Sequence, residues 1–138
     1  FTDVPKGSWY ASSVNAMASL GLVTGVGGGK FAPDATMTQE EFITVLGRFV
    51  EFLNLDARAY LDEHPLAILQ PLAQYRSFSP WAIRGADLLT NSVTDENGGA
   101  VSMFCTDLAG IAPKEPILRG QAAAALCNAL RATGALKY

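Results

Sequence analysis

This sequence has no long apolar run, and nothing in it approaches the roughly 20 residues that a helix needs to span a bilayer, so no membrane span is expected. It has no cluster of basic residues either: Lys and Arg total 10 against 13 Asp and Glu, for a net charge of −3. Phosphate binding relies on clustered Lys and Arg, so nucleic acid is not an expected partner. Histidine occurs once, as His64, with no visible partner that would make it a catalytic base. The two cysteines, Cys105 and Cys127, lie in no CxxC or Cys/His spacing, so neither a metal nor a cofactor is expected. Two buried thiols, or a disulfide between them, are the states left open; Cys127 sits in the apolar run AAAALCNAL, where cysteine behaves as a small hydrophobe. Without a nucleophile–base pairing or metal-ligand spacing the chain does not read as an enzyme. An N-terminal signal peptide is also missing, and Phe1 stands inside the first motif, so the chain reads as a processed or excised piece of something longer.

What is present is a globular composition, 49% hydrophobic and 17% charged, in 138 residues, enough to bury a core. The chain also says one thing twice. Residues 31–42 read FAPDATMTQEEF and residues 111–122 read IAPKEPILRGQA, each opening onto a helix-like apolar run. Upstream of each is a tryptophan leading a short amphipathic stretch, Trp9 in GSWYASSVNAMASLGL and Trp81 in FSPWAIRGADLL. Order preserved over so many features signals a repeat, whose units bury their apolar faces by stacking. The second copy is longer, its excess falling in 90–110 around the turn signal Asn97-Gly98-Gly99. The domains that follow are 1–53, a connector over 54–71, and 72–138 with an inserted loop at 90–110.

Along the chain, Trp9, Val14, Met17 and Ala18 make a short apolar stripe that Gly21 stops. The glycine-rich stretch from Gly21 to Phe31 lacks the order of a phosphate-binding loop and reads as turns. Thr38 and Glu41 form a capping box at the head of a helix whose buried face is expected to carry Phe42, Val45, Leu46, Phe49, Val50 and Leu53. Glu40 and Glu41 are accounted for by the positive end of that helix. Asp56 to His64 predicts a short helix ended by Pro65, with His64 near its C-terminus, followed by a packed connector over 66–72. Trp81 to Leu89 predicts the matching first helix of the second copy. A helix from about Arg119 follows, with Ala122, Ala123, Leu126, Cys127 and Leu130 on one small-residue face. Leu118 replaces the capping threonine there, and Gly120 weakens the first turn.

These residues resemble the S-layer homology (SLH) family, whose pattern runs F-x-D-V, W-A, G-(I/L)-(I/V)-x-G, F-x-P and (I/L)-T-R-A-E. Phe1, Asp3, Val4, Trp9, Gly21, Gly25, Phe31, Pro33, Thr38, Glu41 and Arg48 fit in the first copy. In the degenerate second, Trp81, Ala82, Pro113 and Arg119 fit, while Gln74, Ile111, Leu118 and Gln121 depart. The resemblance implies a mainly α fold of tandem helix–loop–helix modules packed as a helical bundle, pseudo-trimeric, with one module missing or supplied by another chain. It also implies a secreted bacterial surface protein, anchored by binding a secondary cell-wall polysaccharide that is attached to peptidoglycan and commonly pyruvylated.

A ketal pyruvate is a carboxylate on a sugar, and calls for a bidentate Arg and backbone N–H groups at a helix N-terminus. The implied glycan-binding candidates are Arg119, Gln39, Trp9, Trp81, Asp3, Lys30, Lys114 and Gly25. Arg119 matches the family arginine, whereas Gln39 occupies that place in the first copy without a charge. Trp9 and Trp81 serve either as core anchors or as ligand platforms. Asp3 either staples the module entrance or meets ligand, and Lys30 and Lys114 either support an anionic polymer or are simply solvated. The other function left open is an assembly module in which glycan binding has been lost and protein–protein contact, with a third module or a second copy, has replaced it.

Overall fold

The computed structural model describes residues 1–53, 55–91, 93, 94, 100, 101, 104 and 108–134. Among them the protein is mainly helical: α1 (Ala11–Ser19), α2 (Gln39–Leu53), α3 (Leu55–Glu63), α4 (Leu66–Leu69), α5 (Ile83–Asn91) and α6 (Arg119–Ala132). Short 3₁₀ turns cover Ala73–Tyr75, Pro80–Ala82 and Leu108–Gly110. A two-residue antiparallel ladder pairs β1 (Val93–Thr94) with β2 (Ala100–Val101), Val93 opposite Val101. The Asn97-Gly98-Gly99 turn, Cys105 and most of 90–110 lie outside the described residues. The chain divides into two compact units, Phe1–Thr36 and Met37–Tyr138.

In the first unit, α1 buries Ala11 and Val14. It ends in a Schellman arrangement, with the Leu22 N–H donating to the Met17 carbonyl (2.9 Å) and the Gly21 N–H to that of Ala18 (3.0 Å). The glycine run is a tight reversal in which the Val26 N–H donates to the Lys30 carbonyl and the Lys30 N–H to that of Gly27. Gly25 is obligatory there: its φ is +74°, and a Cβ would collide with the Lys30 carbonyl oxygen and meet the Phe1 ring at 2.6 Å.

In the second unit, α2 and α5 cross where Gly47 faces Gly85; a Cβ on Gly47 would lie 3.0 Å from the Gly85 Cα. Around that crossing sit Ile43, Leu46 and Val50 of α2, and Ile83, Ala86 and Leu89 of α5, with Tyr75, Phe78, Phe104, Ala125 and Ala129 completing the core. Leu46 and Val50 are buried as expected for α2, but the centre of its face is shifted. Its deepest line runs through Ile43, Leu46, Gly47 and Val50, while Phe42 and Phe49 pack beside it and Leu53 is exposed. The cause is the glycine pair, which draws α5 onto the slim side of α2 instead of its aromatic side. The face expected for α6 is corrected in the same way. Ala125 and Ala129 are the buried positions, Ala123 and Leu126 are exposed, and Ala122, Cys127 and Leu130 are half-buried.

The tryptophans are not core anchors. Trp9 is 91% exposed, edge-on to Tyr10, and the burial expected of it falls to Ala11 and Val14. Trp81 is 52% exposed on its 3₁₀ turn, while Ala82 and Ile83 beside it point inward. His64 does follow the last turn of α3. Its Nδ1–H donates to the Tyr60 carbonyl (2.8 Å) and its ring stacks on that of Tyr60.

Candidate functional site

The candidates divide between the two units. In the first, Asp3, Gly25 and Lys30 gather on the glycine reversal. The Asp3 carboxylate accepts the N–H groups of Phe31 and Ala32, each at 2.8 Å. The hydrogen bond from Phe31 holds the Asp3 carboxyl below its ordinary value against the opposing effect of desolvation, with smaller help from Ala32 and the Lys30 charge. Ala32 has a left-handed φ of +57°, unusual for a residue with a Cβ, and the Asp3 carboxylate bonds its N–H directly. Asp3 therefore staples the entrance to this unit, and both of its oxygens are engaged. Trp9 presents its ring to solvent against Tyr10.

In the second unit the two long helices begin very differently. A helix N-terminus leaves backbone N–H groups without intrahelical partners and carries partial positive charge, which makes it an anion site in waiting. At α2 every one of these donors is used. The Gln39 N–H donates to the Glu115 carbonyl (2.8 Å) and the Glu40 N–H to that of Pro113 (3.0 Å). The Glu41 N–H donates to Thr38 Oγ1 (3.3 Å), and Glu41 Oε2 accepts the Thr38 N–H in return (2.8 Å). The capping box read from the sequence is therefore present. Gln39, buried, turns its Oε1 to the Ala112 N–H (3.2 Å). The Ile117 N–H donates to the Met37 carbonyl (3.0 Å), so 113–117 lies along the head of α2 and covers it.

At α6 the donors stay open. Gln121 Oε1 accepts the Leu118 N–H (2.9 Å), which is half a capping box, since Leu118 has no oxygen to return. Among the described residues the N–H groups of Arg119, Gly120 and Gln121 have no acceptor, and the exposed Arg119 guanidinium has no ion pair or hydrogen bond. One helix end is thus consumed by the fold and the other is available to an anion.

Lys114 is not simply solvated. Its ammonium lies 2.6 Å from Glu40 Oε1 and 2.6 Å from Ser79 Oγ. Glu40, its side chain only 5% exposed, also accepts the Ser79 N–H on Oε2 and the Ser79 hydroxyl on Oε1, both at 2.9 Å. Burial raises the Glu40 carboxyl pKa, but the hydrogen bonds from Lys114 and Ser79 outweigh it and hold the group below its ordinary value.

A groove of about 180 Å³ lies along the α2–α5 crossing, floored by Gly47 and Gly85 and edged by Trp81, Arg48, Arg84 and Glu51. Arg84 is exposed and has no ion pair among the described residues. An aromatic face and a guanidinium over a glycine floor can take a sugar ring that carries a negative charge. Deeper in the core, Asp87 accepts the Tyr75 hydroxyl (2.5 Å), and burial followed by the Asp87 carboxylate pushes the Tyr60 phenol far above its ordinary value. Tyr75 and Asp87 are buried and Tyr60 is partly so, and the cluster belongs to the packing of the core.

Sequence reasoning missed Glu40, Ser79 and Arg84. Only Glu40 had a signal: it puts a carboxylate where the T-R-A-E pattern has alanine. Among the described residues no group of His, Cys, Asp and Glu is arranged to hold a metal ion, and no helix is long and apolar enough to cross a membrane.

Comparison with known proteins gives two matches. Residues 1–43 match the S-layer homology domain. Over 56 residues the chain is 36% identical to a cell surface protein of Thermoanaerobacter kivui, a stretch that is 41% of this chain and 7% of that protein. The chain therefore spans a small fraction of the relative's length. No solved structure matches.

Proposed function

We propose that this chain, which opens on S-layer homology sequence, is a non-catalytic anchor at the bacterial cell surface. It binds an acidic secondary cell-wall polysaccharide attached to peptidoglycan, and Arg119 is the clamp for the polymer's carboxylates. The surface role is supported by the match over residues 1–43 and by the likeness to a cell surface protein. The single observation that carries the glycan reading is the contrast between the two helix heads. The head of α6 leaves Arg119 and three consecutive backbone donors open, whereas that of α2 has none to spare. The macrodipole of α6 opposes a guanidinium at its own N-terminus. A carboxylate bound there answers both the dipole and the guanidinium. Trp81 and Arg84 in the α2–α5 groove offer a second contact for the same polymer.

Pull-down of the chain with purified cell-wall sacculi, intact and stripped of acid-labile polymer, tests this. Arg119→Ala is expected to weaken retention by about 10- to 100-fold, the loss of a charged hydrogen-bonding group, with the melting temperature unchanged. Retention that survives either the stripping or the substitution would defeat the reading.

A second reading, an assembly module that contacts a third module or another copy, is favoured by one observation. Leu118, just before α6, and Leu126 on it are exposed, 66% and 45% respectively. In that case Arg119→Ala has no effect on retention, and Leu126→Glu abolishes self-association in sedimentation.

A further inference from the structure

Glu40 offers an inference that the wall-anchoring reading does not contain. Three donors converge on its carboxylate: the Ser79 N–H, the Ser79 hydroxyl and the Lys114 ammonium. This is the donor set that recognises a free carboxylate, a backbone amide and a hydroxyl for direction and a cation for charge. None of the three belongs to α2. Ser79 immediately precedes the Pro80–Ala82 turn and Lys114 lies in the loop before α6.

The surroundings are held without the Glu40 side chain. Gln39 N–H to Glu115, Glu40 N–H to Pro113, Ile117 N–H to Met37 and Ala112 N–H to Gln39 Oε1 all tie 112–117 to the head of α2 through other atoms. The pocket is therefore defined by the rest of the unit, and Glu40 fills it. The pocket is also reachable from solvent, because the Lys114 side chain is 59% exposed although that of Glu40 is buried.

We propose that Glu40 is the chain's own ligand in a carboxylate-binding site built by Ser79 and Lys114, and that its presence keeps acidic saccharides out of this end of the second unit. The site would accept a small carboxylate, free or carried on a sugar, once Glu40 is removed. The exclusion of saccharide rests on the wall-anchoring reading; the carboxylate site itself does not.

The test is chemical rescue in the whole 138-residue chain. Thermal melting of wild type, Glu40→Ala and Glu40→Ala/Lys114→Met is followed in sodium acetate against sodium chloride of equal ionic strength. Glu40→Ala is expected to melt lower than wild type in chloride and to recover saturably in acetate. Wild type should show no such recovery, and any acetate response from the open head of α6 is common to all three proteins. Removing Lys114 should weaken the acetate half-saturation by about tenfold, the worth of one charge-assisted contact. An acetate response equal in wild type and Glu40→Ala, or one that persists unchanged without Lys114, would overturn the proposal. If Glu40→Ala is unfolded in chloride, acetate is expected to refold it. Failure to refold while the isosteric Glu40→Gln stays folded would also overturn it. Acetate rescue without any sacculus binding would count against the wall-anchoring reading alone.

Discussion

Replacing Gly85 by alanine sets two effects of similar size against each other, and the structure decides between them. In a free helix the change would help, by at most about 1 kcal/mol, because alanine surrenders less backbone entropy than glycine. In α5 the new Cβ would stand 2.9 Å from the Ile43 carbonyl oxygen and 3.3 Å from Ile43 Cγ2, where ordinary contact begins at 3.4 Å. The obstacle is backbone in the middle of α2, beside a side chain with no exposed surface, so it cannot swing aside. Overpacking of this kind costs about 1–3 kcal/mol, here at the upper end. The balance is a destabilisation of about 2 kcal/mol, which moves the urea midpoint down by about 1 M for a slope near 2 kcal/mol per M. Gly47→Ala places its Cβ in the same gap, so the double variant should lose more than the sum of the two. Urea titration followed by circular dichroism reads all three proteins. A midpoint for Gly85→Ala at or above that of wild type would refute the close α2–α5 approach, and with it the glycine floor of the groove.

Leu118→Thr supplies the missing half of the α6 capping box, and should raise stability by about 1 kcal/mol in the same titration; no gain would mean that Gln121 is not poised as described. Tyr75→Phe keeps the ring but takes a donor from the buried Asp87, and should cost about 1–3 kcal/mol; a neutral result would show that the phenol is dispensable. Asp3 has a folded pKa below its ordinary 3.8, so the stability it lends is complete above that value and is lost as pH falls through the folded pKa. The protection of the Phe31 and Ala32 amides, relative to their intrinsic exchange rate at each pH, should therefore fall in that acid range, and Asp3→Asn, whose amide can offer only one acceptor oxygen, should lose protection at neutral pH too. Slow exchange in Asp3→Asn would refute the staple.

What could be read beforehand was what is local. Thr38 and Glu41 announce their box because both partners lie within one turn, and Gly21 ends α1 through its own backbone. The buried face of α2 was read only in part and that of α6 was misjudged, because periodicity ranks side chains by apolarity, whereas packing here follows clearance. Gly47, Gly85, Ala125 and Ala129 admit a neighbouring element, and larger residues are left at the margin. The tryptophans misled in the same direction, since their size suggested anchorage. Glu40 was read as a dipole residue because its real partners, Ser79 and Lys114, come from far along the chain, and nothing local distinguishes a carboxylate facing solvent from one that accepts three hydrogen bonds.

The cover over α2 has a further consequence during synthesis. Glu40 and Lys114 are 74 residues apart, and a similar interval separates the first N–H groups of α2 from the carbonyls that accept them. A ribosome adding about 5–20 residues per second needs about 4–15 s to cover that distance. Throughout that interval α2 has its capping box made but its next two amides unanswered, while Ile43, Leu46 and Val50 stay bare only until α5 arrives. The nascent chain is then at its most vulnerable to chaperones, proteases and like chains, and the loop at 112–117 is the segment whose arrival answers those amides.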